Sequence, residues 1–188
     1  LSTRLSYDEE NSVKPEKFNE GFKTASQVQY VATAGNYRDA GLEYTGALSV
    51  LSSIFSYDYL WLNVRVKGGA YGCMCAFARS GNSYFTSYRD PNLMETYAIY
   101  KEAAKYVAEF DADERDMTKY IIGAIAKLDS PLTPVAEGNF SFASYLIGLT
   151  DEDMQRDRDV VLATDVKTIR SLAPYVEATT NGSIICAV

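Results

Sequence analysis

Histidine is absent from all 188 residues of this chain. The absence removes the commonest general base and the commonest zinc ligand of proteins, and it excludes Ser-His-Asp and Cys-His mechanisms. A metal site would have to combine carboxylates with Cys73, Cys75 and Cys186, whose spacing matches no recognised ligand pattern. We therefore predict no metal site and no cofactor in this chain, and no hydrolysis by the chain alone.

Long apolar runs and clusters of positive charge are also lacking. No stretch approaches the roughly 18 apolar residues that a membrane-spanning helix needs. The chain has 18 basic and 25 acidic residues, for a net charge of −7, and no run of Lys and Arg forms the basic surface that binds phosphate backbones. The composition thus argues against both membrane and nucleic-acid partners.

Cysteine is scarce, with three residues in the chain. Cys73 and Cys75 lie two residues apart on a predicted strand, so they share one face and are poorly placed for a disulfide. No base in the sequence could activate them, and core packing is the better interpretation. We expect a reducing compartment, the cytoplasm, with an organelle matrix as the alternative.

The length corresponds to about one domain with a real core. Residues 1–23 are charged and aperiodic, which is typical of a linker or of the tail of a preceding domain. We place the domain itself in residues 24–188. Because the chain begins at Leu1 instead of Met and shows no targeting pattern, we interpret it as a piece of a longer protein.

Hydrophobic periodicity predicts an α+β domain. In order, the patterns indicate a strand over 24–34, a helix over 42–55, a break at 56–58, a helix over 59–65, a hairpin of strands over 71–78 and 83–88, five helices, and a closing strand over 182–188. Helices that follow one another after the hairpin favour a mostly antiparallel sheet covered on one face by helices.

Several details of this assignment can be tested. The first strand should present Val28, Tyr30 and Ala32 on its apolar face, and the 71–78 strand, apolar on both faces, should be central. Capping patterns predict where four helices begin: at Asp90-Pro91, at Asp111 with Glu114, at Thr150 with Asp153, and at Asp165, whose helix Pro174 kinks or shortens. A further helix is predicted from an apolar stripe of Phe142, Tyr145, Leu146 and Leu149.

Residues 64–72, Val-Arg-Val-Lys-Gly-Gly-Ala-Tyr-Gly, are the stretch that points to chemistry. They predict a helix that ends at Arg65–Lys67, a break at Gly68–Gly69 and a strand that begins at Tyr71. We call residues 64–72 the hinge. One interpretation is purely structural: cations at the negative end of a helix dipole, a glycine cap and a tyrosine that opens a strand.

Two other kinds of site are poorly supported. Lys67 with Gly68-Gly69 suggests a phosphate cradle, but the order of helix then strand is the reverse of a P-loop. The acidic stretches over 111–116 and 151–159 coincide with predicted helix starts, so they are better interpreted as caps and solvated faces than as calcium loops.

The hinge resembles a known family through its pattern Arg-x-Lys-Gly-x-x-Tyr-Gly. Further segments over 28–31, 87–93 and 144–149 support the resemblance, which covers about residues 20–188. The chain is similar to the last domain of presequence-protease-like members of the pitrilysin/insulinase zinc metallopeptidases. The resemblance implies four related α+β domains in two halves that close around an unfolded peptide, with zinc on an inverted His-x-x-Glu-His motif in the first domain.

Under this resemblance the chain forms the wall opposite the zinc and is catalytic only with the N-terminal half of the same polypeptide. Arg65 and Tyr71 fall on the arginine and tyrosine that reach the substrate, where a guanidinium can hold peptide carbonyls and a phenol can donate to a developing oxyanion. Gly68 and Gly69 would shape this site, and Tyr84 and Tyr88 could line a peptide groove.

Two alternatives stay open from the sequence. A non-catalytic interaction or scaffold subunit built on the same fold is the first, although the Arg65 and Tyr71 pair would then have no substrate to hold. A stand-alone ligand-binding domain is the second.

Overall fold

A computed structural model describes residues 25–181 and 184–187. The predicted linker over 1–23 lies outside these residues, and the domain boundary stays a prediction. In chain order the elements are β1 Gln29–Asn36, a 3₁₀ helix Tyr37–Ala40, α1 Ala47–Ile54, π-helical segments Phe55–Tyr59 and Trp61–Lys67, β2 Gly72–Phe77, β3 Asn82–Asp90, α2 Met94–Ala108, α3 Glu114–Leu128, α4 Pro134–Ile147, α5 Asp151–Leu162, α6 Val166–Ser171, α7 Ala173–Thr180 and β4 Ile184–Ala187.

The four strands form one antiparallel sheet in the order β2-β3-β1-β4. The predicted hairpin is β2 with β3, and the predicted closing strand is β4, which pairs with β1. Helices α1, α2 and α7 pack on the sheet, while large side chains on its other face are exposed: Tyr30, Met74 and Tyr84. The predicted α+β class, with helices on one face of an antiparallel sheet, is confirmed.

The predicted apolar face of β1 is wrong. Val31 and Thr33 are buried, whereas Val28 and Tyr30 are exposed. Val31 and Thr33 lie opposite the buried Ser87 and Phe85 of β3, so the register of the pair places them beneath the helices. Alternation separates the two faces of a strand, but it does not say which face the helices cover.

The predicted central position of the 71–78 strand is also wrong, because β2 lies at an edge of the described sheet. Its inner side carries Cys73, Cys75 and Phe77, which pack on the core. Its outer side carries Met74, which is exposed. The outer face is therefore apolar in composition but is not covered by the described chain.

Residues 47–67 form a nearly continuous helical run, not two helices separated by a break. The run begins at Ala47, five positions later than predicted, and widens into π-helical turns from Phe55 onward. Ser56 donates its hydroxyl to the carbonyl oxygen of Ser52 at 2.7 Å, so this polar residue continues the helix. Leu60, fully buried, helps to hold the wide turns against the core.

The start of α2 differs from the prediction, since Asp90 ends β3 and the helix begins at Met94. Asp90 is fully buried, and its carboxylate accepts hydrogen bonds from Ser87 Oγ at 2.5 Å, Thr96 Oγ1 at 2.8 Å and the Asn92 backbone at 2.9 Å. An Asp before a Pro resembles a helix cap in sequence, but here three internal donors hold the carboxylate inside the turn.

The remaining helix boundaries are mostly as predicted. Thr150 and Asp153 form a capping box, and Asp165 caps α6. Pro174 lies in the first turn of α7 and separates it from α6. The start of α3 is capped by Asp113, not by Asp111. None of the described helices is both long and apolar enough to cross a membrane.

Candidate functional site

Two glycines shape the backbone of the hinge, each for a different reason. The Gly68 N–H donates to the carbonyl oxygen of Asn63 and the Gly69 N–H to that of Arg65, both at 3.0 Å. Gly69 has a φ of 80°, which a residue with a Cβ adopts only with strain. Gly68 has no such φ, but an added Cβ would stand 2.5 Å from the carbonyl oxygen of Val64. The chain therefore leaves the helix along one defined path.

Replacing Gly69 tests this geometry against a matched control. We expect Gly69→Ala to lower the free energy of unfolding by about 1 kcal/mol, because alanine is strained at this φ. Gly138→Ala should instead raise it by about 0.5–1 kcal/mol, since Gly138 lies inside α4 with nothing within 4 Å of an added Cβ. Urea unfolding of both variants measures the difference. Shifts of the same sign would contradict the role given to Gly69.

Two contacts fix the Arg65 side chain. Its Nε donates to the carbonyl oxygen of Tyr71 at 3.0 Å. Its guanidinium carbon lies 3.9 Å from the centroid of the Trp61 ring, a cation–π contact. The terminal nitrogens of Arg65 form no hydrogen bond with any described residue, so the fork of donors is oriented but still available.

Tyr71 lies directly beside Arg65 and presents its side chain to solvent, with 60% of the residue surface exposed. Its ring centroid is 5.3 Å from that of Tyr88, and the Arg89 guanidinium carbon lies 5.8 Å from the Tyr71 ring. Within the described part of the chain, its hydroxyl has no hydrogen-bond partner. The structure thus holds the Arg65 guanidinium at the backbone of Tyr71, directly before β2, and leaves the Tyr71 phenol exposed to solvent.

A strip of tyrosines continues from this pair across the exposed face of the sheet. Tyr88 covers Gly72, where an added Cβ would lie 2.3 Å from the tyrosine ring. Tyr30 stacks on Tyr88 with ring centroids 6.2 Å apart and planes at 23°. We call Tyr71, Tyr88 and Tyr30 the aromatic strip. Tyr84 is exposed on the same face but lies four residues from Tyr88 along β3, about 13 Å away, so it is not beside the hinge.

Hydrogen bonds at the end of β3 hold the backbone of the hinge in place. The residue before the buried Asp90 is Arg89, which is the one described residue other than glycine with a positive φ, at 48°. The Arg89 carbonyl accepts from the Tyr71 N–H at 3.3 Å, and the Asn92 side chain donates to the carbonyl of Gly68. These bonds tie the end of β3 to both sides of the hinge, and they hold Arg89 in its strained conformation.

Sequence reasoning missed Trp61, Tyr30 and Arg89 as parts of this site. The spacing of four between Trp61 and Arg65 on a predicted helix was a usable signal, since such residues are neighbours. For Tyr30 the strand pattern pointed to the core, and for Arg89 no pattern predicted a positive φ.

Cys73, Cys75 and the described acidic residues do not add a second site. Burial raises the pKa of Cys73 to about 11 and that of Cys75 to about 12, so both thiols stay protonated near neutral pH and are poor nucleophiles. Among the side chains of residues 25–181, no three His, Cys, Asp or Glu residues are grouped as a metal site would require. Zinc therefore does not fit the described residues.

Comparison with known proteins identifies the family. The model of a family described as the PreP C-terminal domain matches residues 19–188. The chain is 47% identical over 178 residues to Protein HypA of Clostridium perfringens, covering 95% of this chain and 18% of that protein. It is 39% identical over 171 residues to presequence protease 1, chloroplastic/mitochondrial, of Arabidopsis thaliana, covering 90% and 16%. The chain thus spans less than a fifth of the length of these relatives.

Solved structures show the same fold at low identity. A protease from Helicobacter pylori superposes with a TM-score of 0.63 at 18% identity, covering 84% of this chain and 40% of that one. The inactive peptidase domain of a predicted zinc protease from Bordetella parapertussis superposes with a TM-score of 0.61 at 13% identity, covering 89% and 94%. With the α+β fold in common and a family match that extends from residue 19 to the last residue, this chain belongs to the family of presequence protease (PreP) C-terminal domains.

Proposed function

We propose that this chain is the substrate-positioning C-terminal domain of a zinc-dependent oligopeptidase that degrades unfolded peptides in a closed chamber. Membership of a peptidase family is the starting point. The observation that carries the finer proposal is the oriented pair of Arg65 and Tyr71 at the edge of an exposed sheet face. Both side chains offer donors toward solvent, as a site that holds peptide carbonyls requires.

The aromatic strip extends this site along the sheet. Tyrosine rings offer apolar area with few rotatable bonds, so they can pack against varied side chains of an extended peptide at a small entropic cost. Tyr84, farther along the same face, would contact a more distant part of the peptide. An unfolded peptide is thus the substrate that the exposed face fits.

The zinc belongs, under this proposal, to the N-terminal half of the same polypeptide. The Bordetella parapertussis relative is described as part of a predicted zinc protease, and this chain has no histidine to supply such a site. Its residues would act on the substrate and not on the metal. The compartment, cytoplasm or organelle matrix, stays a prediction; the Arabidopsis relative is named chloroplastic/mitochondrial.

The direct test compares this chain with the longer polypeptide that contains the upstream half. We expect the 188-residue chain to bind no stoichiometric zinc and to leave a fluorogenic unfolded peptide uncut. The longer polypeptide should cleave the peptide, and a chelator should abolish that cleavage. One tightly bound zinc per isolated chain, or turnover that survives removal of contaminating proteases, would refute the proposal, as would an upstream half without His-x-x-Glu-His.

A non-catalytic scaffold subunit is the second candidate. The structural relative described as an inactive peptidase domain favours it, because this fold also occurs without activity. A subunit of this kind should bind its partner equally well after Arg65 and Tyr71 are replaced, whereas a peptidase domain should lose substrate contacts.

A further inference from the structure

Helix α4 presents large apolar side chains to solvent. Val135, Phe142, Tyr145 and Leu146 are 74%, 64%, 82% and 65% exposed. At 100° per residue these four fall on one face of the helix. Three of them, Phe142, Tyr145 and Leu146, belong to the stripe that periodicity predicted, and the described chain leaves them uncovered. The fourth predicted member, Leu149, lies beyond the end of α4. Its exposed area is on the order of 500 Å², as large as the largest apolar patches of ordinary monomers.

No other described element packs extensively on α4, although α3 packs on α1 and α5. Ser144 is the one residue of α4 that is buried. The helix also carries a single charged residue, Glu137. A surface of this composition is typical of a permanent interface and not of a solvated face.

We propose that α4 docks against polypeptide that precedes this chain in its parent protein. The relatives provide the length for such a partner, since this chain covers 18% and 16% of the first two. Residues 1–24 are a less suitable partner for the apolar face of α4, because four basic and five acidic residues are spread among their few apolar ones. An apolar, nearly uncharged helix requires an equally apolar surface, which a folded neighbouring domain offers. The inference rests on the part of the proposed function that places the chain in a longer polypeptide, and not on peptidase activity.

A triple substitution on the helix tests the docking. Phe142→Gln, Tyr145→Gln and Leu146→Gln keep good helix formers while removing the apolar face. The matched control replaces exposed apolar residues of other helices: Ile122→Gln, Leu128→Gln and Leu162→Gln. In the isolated 188-residue chain, both triples should leave the melting temperature within about 1 °C of the unsubstituted chain, because the replaced side chains are exposed.

In the longer protein the two triples should differ. We expect the α4 triple to lower the melting temperature by about 5 °C or more, and the control to leave it nearly unchanged. Amide hydrogen exchange over 134–147 should be at least about tenfold slower in the longer protein than in the isolated chain, and the α4 triple should remove that protection. Exchange reports docking whether or not the longer protein cleaves peptides, so a failed peptidase assay and a failed docking test remain distinct.

Three results would overturn the proposal. Equal exchange of α4 in both proteins would mean that upstream polypeptide does not cover it. Protection in the isolated chain that disappears when residues 1–24 are deleted would assign the surface to that segment. A dimer of the isolated chain that the α4 triple dissociates, with no added protection in the longer protein, would assign it to a second copy.

Discussion

Tyr71→Phe should reduce kcat/KM of the parent protein about 100-fold or more while leaving its folding stability nearly unchanged. The substitution removes one hydroxyl, and no described residue accepts or donates a hydrogen bond at that oxygen. The ring contact with Tyr88, at 5.3 Å between centroids, is kept by phenylalanine. Stability should therefore hold.

The loss should fall on kcat, because the hydroxyl is proposed to donate to the carbonyl oxygen that becomes negative when water attacks the peptide bond. A donor aimed at a developing oxyanion is typically worth about 3–4 kcal/mol. Removing an interaction that exists only in the transition state lowers kcat and kcat/KM alike. Steady-state kinetics with an unfolded peptide measure both.

Tyr37→Phe is the matched control. Tyr37 is fully buried and donates its hydroxyl to the carbonyl oxygen of Ala78 at 2.5 Å. Removing that hydroxyl leaves the Ala78 carbonyl with its other hydrogen bond, from the Gly81 N–H. The loss of one buried hydrogen bond should lower the free energy of unfolding by about 0.5–1.5 kcal/mol and spare kcat. If Tyr71→Phe behaves like Tyr37→Phe, with a stability loss and normal turnover per folded molecule, Tyr71 is only structural.

Arg65→Ala should reduce kcat/KM of the parent protein about ten- to a hundredfold, with more of the loss in KM. A guanidinium that holds peptide carbonyls binds the ground state and the transition state alike, and hydrogen bonds from a charged donor contribute about 1.5–3 kcal/mol. Arg65→Lys should recover little, because an ammonium cannot stack flat on Trp61 and donate from a fixed fork at once.

Lys67→Ala distinguishes substrate binding by Arg65 from a purely structural role of the cations at the end of the helix. Lys67 lies in the same last turn as Arg65, and its Nζ donates to Asn63 Oδ1 at 3.2 Å. If both cations serve only the helix dipole, the two alanine variants should each cost about 0.3–1 kcal/mol of stability and share normal kinetics. A KM effect confined to Arg65 would agree with substrate binding, and equal KM values for both variants would contradict it.

The local chemistry of the hinge could be deduced from its residues. Gly68 and Gly69 indicated where the helix ends, and the short spacing from Arg65 to Tyr71 placed a cation and a phenol on either side of the turn. These features depend on backbone sterics within a few residues, so they survive in any tertiary context. The capping box at Thr150 and the break at Pro174 were predictable for the same reason.

Which surfaces are covered was decided by the tertiary structure alone. The outward position of Tyr30, the edge position of β2 and the uncovered face of α4 all contradict the simple expectation that apolar positions lie inside. Periodicity reports that a strand or helix has an apolar face, but the partner of that face depends on contacts between residues far apart in the chain, or outside it. The sequence by itself therefore determined most of the elements and the hinge. Packing decided that Tyr30 stacks on Tyr88 beside the hinge and that the apolar face of α4 is exposed in the described chain, because burial is a property of the assembled surfaces.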